Sequence, residues 1–225
     1  MTTHAMLQKL TMLLVAMGLA SATWLNAFAQ AASNPNANAQ LLVAAREGNL
    51  ARVKELIAGG AAVDSRNRLG KTPLFIACEK ANTQLGLLLI EAGANVNQPS
   101  LERVTPLMAA SYSGDAALVK RLLQSGAQVE PVDRMNKSAP VYAAAQGNTA
   151  ALDALLGAGV DVNASYENRL TLLMWAAGQG RADTVRLLLA RGARTDLRDD
   201  RGLTALDIAR GAGQQQVVEA AGLRN

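Results

Sequence analysis

Few side chains in this sequence could do chemistry, and their spacing argues against most of it. There is one histidine, His4, and one cysteine, Cys78. His4 lies in a leader expected to be removed. Without it the chain has no imidazole for a Ser-His-Asp triad, a Cys-His pair, a zinc site or a neutral-pH proton shuttle. A lone thiol builds no internal disulfide framework. Asp196, Asp199 and Asp200 cluster, but Arg194, Arg198 and Arg201 interleave with them. That spacing fits no calcium loop and reads as a solvated ion-pair surface. Glu79 and Glu102 are single carboxylates with no paired partner in sequence. No catalytic, metal or cofactor-binding residue is therefore expected, and the chain is not expected to be an enzyme. What remains available for function is surface.

The elements that must carry that surface begin after residue 29. Met1 to Lys9 is a short segment with one ordinary positive charge, and Leu10 to Ala20 (LTMLLVAMGLA) is apolar. Small and polar residues follow, ending in Ala27-Phe28-Ala29 before Gln30. This order reads as a secretory signal peptide over 1–29 cleaved between Ala29 and Gln30, which sends the protein to the periplasm or beyond. A membrane contact is expected only if the leader stays uncut as an anchor, and Thr11, Ser21, Thr23 and Asn26 interrupt such a span. Residues 30–38 (QAASNPNAN) are small and polar, and predict a disordered tether.

Half of the residues are apolar but only 3% are aromatic. A core must then come from Ala, Leu and Val, which suits closely stacked helices. The formal charge of +4 comes without a Lys/Arg-rich run, so nucleic acid is not an expected partner.

Self-comparison shows why. Thr72, Thr105, Ser138, Thr171 and Thr204 recur every 33 residues, and the same step backwards reaches Ala39. Five residues on from each start stands alanine: Ala44, Ala77, Ala110, Ala143, Ala176 and Ala209. Apolar pairs recur at Leu56-Ile57, Leu89-Ile90, Leu122-Leu123, Leu155-Leu156 and Leu188-Leu189, each followed by a glycine, Gly60 to Gly192. A fixed period of this length marks a repeat array. Threonine followed by proline predicts a capped helix start, and glycine after the second helix predicts a left-handed terminator. Cys78 aligns with Ala45, Ser111, Ala144 and Ala177, a small core position. Trp175 aligns with Ile76, Tyr142 and Ile208, a packing position on a helix face.

The T-P-L-x-x-A-A-x-x-G start, V-x-x-L-L body and G-A-x-V-N ending resemble the ankyrin-repeat family across 39–222, leaving 223–225 as a tail. The resemblance implies an all-α solenoid of helix-turn-helix units starting near 39, 72, 105, 138, 171 and 204, with β-hairpin-like fingers between them. It also implies a protein partner held on the concave side by finger tips and first helices. Carried over, those positions are Arg66, Arg68, Leu69, Lys71, Lys80, Leu101, Glu102, Tyr112, Arg134, Met135, Lys137 and Tyr166. Where the family often has histidine after T-P-L, this chain has Phe75, Met108, Val141, Met174 and Asp207, so the turns are expected to be fixed mostly by apolar packing. Ser138-Ala139-Pro140 moves the proline inward and predicts a disturbed start to the fourth unit. Two other readings stay open: an effector delivered onward to a host, and an enzyme with an unrecognised site.

Overall fold

Each 33-residue unit cannot bury its own apolar stripe, and the computed structural model shows how the chain solves this. It describes residues 35–220. The expected leader, its cleavage pair Ala29 and Gln30, and the tail 223–225 lie outside the described residues. Six helix pairs follow one another: α1 (Pro35–Glu47) with α2 (Leu50–Ala58), α3 (Pro73–Glu79) with α4 (Thr83–Glu91), and α5 (Pro106–Ser113) with α6 (Ala116–Gln124). Then come α7 (Ala139–Gln146) with α8 (Thr149–Gly157), α9 (Leu172–Gly178) with α10 (Ala182–Ala190), and α11 (Ala205–Gly211) with α12 (Gln215–Ala220). The first helices stack in one row, α1 through α11, and the second helices stack from α4 through α12. The repeating alanines Ala44 to Ala209 are all buried, because only a methyl fits where one first helix meets the next. Leu89, Leu122, Leu155 and Leu188 close the second row, each fully buried.

The helix starts follow the sequence. Thr72 accepts from the Phe75 N–H at 3.1 Å and Thr105 from Met108 at 3.2 Å, each satisfying a free donor of the first turn. Packing is not the only thing that replaces the missing histidine. The Met108 and Met174 sulfurs accept from the Thr105 and Thr171 N–H groups, both at 3.4 Å, and an Asp207 oxygen accepts from Thr204 at 3.0 Å. A thioether thus completes the cap in two units and a carboxylate in a third, polar contributions beside the mostly apolar fixing expected.

One correction concerns the tether. The segment 35–38 is helical, not disordered. Pro35 suits a first helical turn, Ala37 packs on the core, and the Asn38 side-chain oxygen accepts from the Ala62 N–H at 2.8 Å. Four small residues that lack an apolar period still extend α1, because the next finger offers them partners.

Between the pairs run the fingers, which form no strands among the described residues. Each is a tight turn closed by two backbone bonds, such as Ser100 N–H to Val104 O at 2.9 Å and Arg103 N–H to Ser100 O at 3.0 Å. Asn67, Asp133 and Asp199 each accept two backbone N–H groups within their own finger. Adjacent fingers are tied as well, for instance Leu101 N–H to Leu69 O at 3.0 Å.

The turn within the second pair lacks the usual glycine. Ala81 sits at φ 51, in the left-handed region, where its counterparts Gly114 and Gly147 sit at φ 84 and 80. The Cβ strains that conformation. Ala81→Gly is expected to raise stability by about 0.5–1 kcal/mol, read as a higher urea midpoint at unchanged slope. A lower midpoint would contradict the strain.

Candidate functional site

The fingers and first helices present side chains the core cannot use. Leu69, Leu101 and Met135 stand on three successive fingers and remain 60, 54 and 64% exposed. Leu69 and Leu101 are neighbours because the backbone bond between their fingers holds them so. Tyr112, at the end of α5, is 55% exposed and meets Tyr142 of α7 edge-on, with ring centroids 5.7 Å apart at 82°. These rings, Phe75 and Met108 line a groove of about 290 Å³, flanked by Lys71 and Glu79.

Charged groups frame the groove. Lys71 reaches Glu79 at 2.6 Å and lies 5.1 Å from the Phe75 ring. Arg134 reaches Glu102 at 3.3 Å across two fingers, and Lys137 lies 5.4 Å from the Trp175 ring. Trp175 therefore packs against the core and also seats a cation. The Tyr142 hydroxyl donates to buried Asp133. Burial first, then the bond to Asp133, holds that hydroxyl well above its ordinary range. It works as a fixed donor, and Asp133 is the functional support the sequence reading missed. Its signal was available: Asn67, Asp133 and Asp199 occupy one register.

The other expected positions divide. Arg66 bonds the Gly70 and Pro99 carbonyls at 3.1 and 3.0 Å, so it ties two fingers together. Arg68 and Lys80 are exposed, Lys80 at the end of α3 rather than on a finger. Tyr166 is half-buried against the core and lines a different cleft, beside Val129 and Val160. Its hydroxyl is pushed up to about 12, by burial and then by Asp161. Cys78 is fully buried in the core, and burial first raises its thiol far above its ordinary value. The acidic cluster at the far end is ion-paired: Asp196 with Arg194 at 2.6 Å and Asp199 with Arg201 at 2.7 Å.

A family model for ankyrin repeats matches residues 41–133 and 141–220. The chain belongs to the ankyrin-repeat family. The crystal structure of EF0377, an ankyrin repeat protein, superposes with a TM-score of 0.73 at 26% identity, covering 84% of this chain and 98% of that one. No curated protein matches the chain significantly. Ankyrin repeats are protein-interaction modules, typically without catalytic activity.

Acid is expected to loosen the last ankyrin unit first. Asp196, Asp199 and Asp207 all lie below their ordinary 3.8. The Arg194 bond is the main cause at Asp196 and the Thr204 hydroxyl at Asp207. At Asp199 burial pushes upward, but the Leu203 and Arg201 donors outweigh it. A carboxyl with a depressed folded value stabilises the fold above about pH 4 and loses that contribution as pH falls through the folded value. Hydrogen-exchange protection at Leu203 and Thr204 should therefore drop as the pH falls below about 4 while that of Met108 holds. Equal loss at both places would refute the assignment.

Proposed function

We propose that the protein is an exported binding module that holds one partner protein noncovalently on its concave face, in the periplasm or outside the cell. The observation that carries this reading is the apolar row Leu69, Leu101 and Met135 beside Tyr112, left open where the described residues otherwise bury or partly bury their large hydrophobic side chains, Val43 excepted. Aromatic, Met and aliphatic anchors ringed by Arg, Lys and Glu match the make-up of a protein-binding patch. Export is supported by the leader pattern of 1–29. Among the described residues no helix is long and apolar enough to cross a membrane.

Two measurements test it. Expressed with its leader, the protein should fractionate with the periplasm or medium and begin at Gln30 by mass. Recovery in the cytoplasm at full length would end the export reading. Purified from that fraction and immobilised, it should retain a protein that a Leu101→Ala, Tyr112→Ala, Met135→Ala variant does not. Identical retention by both would end the concave-face reading.

A further inference from the structure

The joint between the third and fourth units departs from its neighbours in three ways, and all three open one cleft. The first concerns the residue that ends each G-A-x-V-N segment. At the joint before, the Asn97 side chain donates to the Gly126 carbonyl at 3.0 Å and accepts from the Gln128 N–H at 2.9 Å. At the joint after, Asn163 does the same with Gly192 and Arg194, at 3.2 and 2.8 Å. The register between them holds Glu130, whose carboxylate turns back to its own neighbour, the Val129 N–H, at 3.1 Å. A carboxylate cannot donate to the Gly159 carbonyl, so this register lacks the two-way stitch of its neighbours, although Asn148 still donates to the Ser111 and Tyr112 carbonyls elsewhere at the joint.

The second departure is at Pro140, which stands where the other units bury Leu74, Leu107 and Leu173. Its ring is shorter than a leucine side chain and leaves space. The third is Ser138, in the register of the capping threonines. It makes no cap bond, and its hydroxyl is buried without a partner, in a residue only 4% exposed. The result is a cleft of about 340 Å³ walled by Val129, Val132, Pro140 and Val160, with Glu130 and Asp161 at its polar side and Ser138 in its wall. It shares no lining residue with the concave groove.

The charge around it has one sign. Neither Glu130 nor Asp161 takes part in an ion pair among the described residues. In a chain of net +4, the unit 138–170 carries Asp153, Asp161 and Glu167 against a single base, Arg169, although Asp153 is paired with Arg191 of the next unit. The basic residues just before it face elsewhere, Arg134 toward Glu102 and Lys137 over Trp175. An apolar slot of this size with two uncompensated carboxylates favours a group with an aliphatic stem and a positive end.

We propose that this cleft is a second binding site, taking an alkyl ammonium or guanidinium group whose stem lies on the valines and Pro140 and whose charge meets Glu130 and Asp161. The site does not depend on the concave-face reading. The same chemistry occurs on a free amine and on a lysine side chain of a bound protein, and the two are separable by experiment.

The test follows backbone amide shifts of the protein titrated with n-butylammonium, n-butanol or an end-capped lysine tripeptide. Saturable shifts at Val129, Val160 and Asp161 are expected with butylammonium, with butanol at least about tenfold weaker. A tripeptide about tenfold tighter than butylammonium would assign the site to a partner's lysine, and equal affinity to a free amine. Glu130→Asn should restore the stitch, raise the melting temperature and weaken binding about tenfold or more. Glu130→Gln removes the charge and keeps the side-chain length, and should lose the preference for the cation over butanol. No saturable shift with either cation, butanol binding equally, or undiminished cation affinity in both Glu130 variants would overturn the proposal.

Discussion

Leu122→Ala is expected to lower the unfolding free energy by about 3–5 kcal/mol, a large share of what a small domain possesses. Leu122 is fully buried in the last turn of α6, and α6 packs on both α4 and α8. Truncation removes apolar area and leaves a cavity that rigid helices on both sides cannot close. A repeat array adds a further consequence, because each unit is held by its neighbours and not by one shared core. Weakening a central unit cuts the coupling between the two ends, so the variant should unfold over a broader urea range than the parent. Leu123→Ala is the comparison: Leu123 is only partly buried against the core, and its loss should cost clearly less. Circular dichroism against urea reads both quantities. A Leu122→Ala cost below about 1 kcal/mol would mean that the apolar pairs do not carry the stack.

What could be read from the residues beforehand divides along physical lines. Positions repeated six times, such as the alanines Ala44 to Ala209, face the same steric problem in every unit, and the repetition itself announces the helix pairs. The open apolar row was equally legible, since Leu69, Leu101 and Met135 stand on fingers where the core has no use for them. The departures were harder, because they depend on what a neighbour offers. Nothing in Met108 or Met174 says that its sulfur will accept a backbone N–H, since the donor is placed by the bend before the helix. The composition of 35–38 reads as a linker until Ala62 supplies a donor for Asn38. Arg66 looks like a free surface cation, yet the carbonyl of Pro99, 33 residues away, engages it. Tyr166 looks like a finger contact, but it stands in the register of Asn67, Asp133 and Asp199 and lines the cleft beside Val160. For Arg66 the deciding partner lies one unit away, at a distance that a single unit's pattern does not encode; for Met108, Met174 and Asn38 it lies within the unit, placed by a backbone bend that the residue types do not announce.

The triple substitution Leu101→Ala, Tyr112→Ala and Met135→Ala is expected to weaken partner binding about a hundredfold or more and leave the fold intact. The fold should survive because all three side chains are more than half exposed already, so truncation uncovers little that folding had covered. Binding is different, since it buries what folding left open. An apolar anchor seated in a partner's pocket is worth about 1–3 kcal/mol, so three together represent at least about 3 kcal/mol, or roughly a hundredfold in Kd. The anchors are also held in place before any partner arrives. Leu101 is fixed by the bond to the finger of Leu69, Met135 donates its N–H to Asp133, and Tyr112 leans on Tyr142, whose hydroxyl is locked by that same carboxylate. Anchors already ordered lose little freedom on association, which raises the fraction of their contact energy that appears as affinity. Asp133→Ala then separates placement from contact. It touches none of the exposed anchor side chains, yet it frees Met135 and Tyr142 together and leaves the Met135 and Lys137 N–H groups unpaired. Binding should fall in that variant while all four apolar side chains of the patch are still present. If it did not, the patch would be a set of independent surface residues and not a prearranged face.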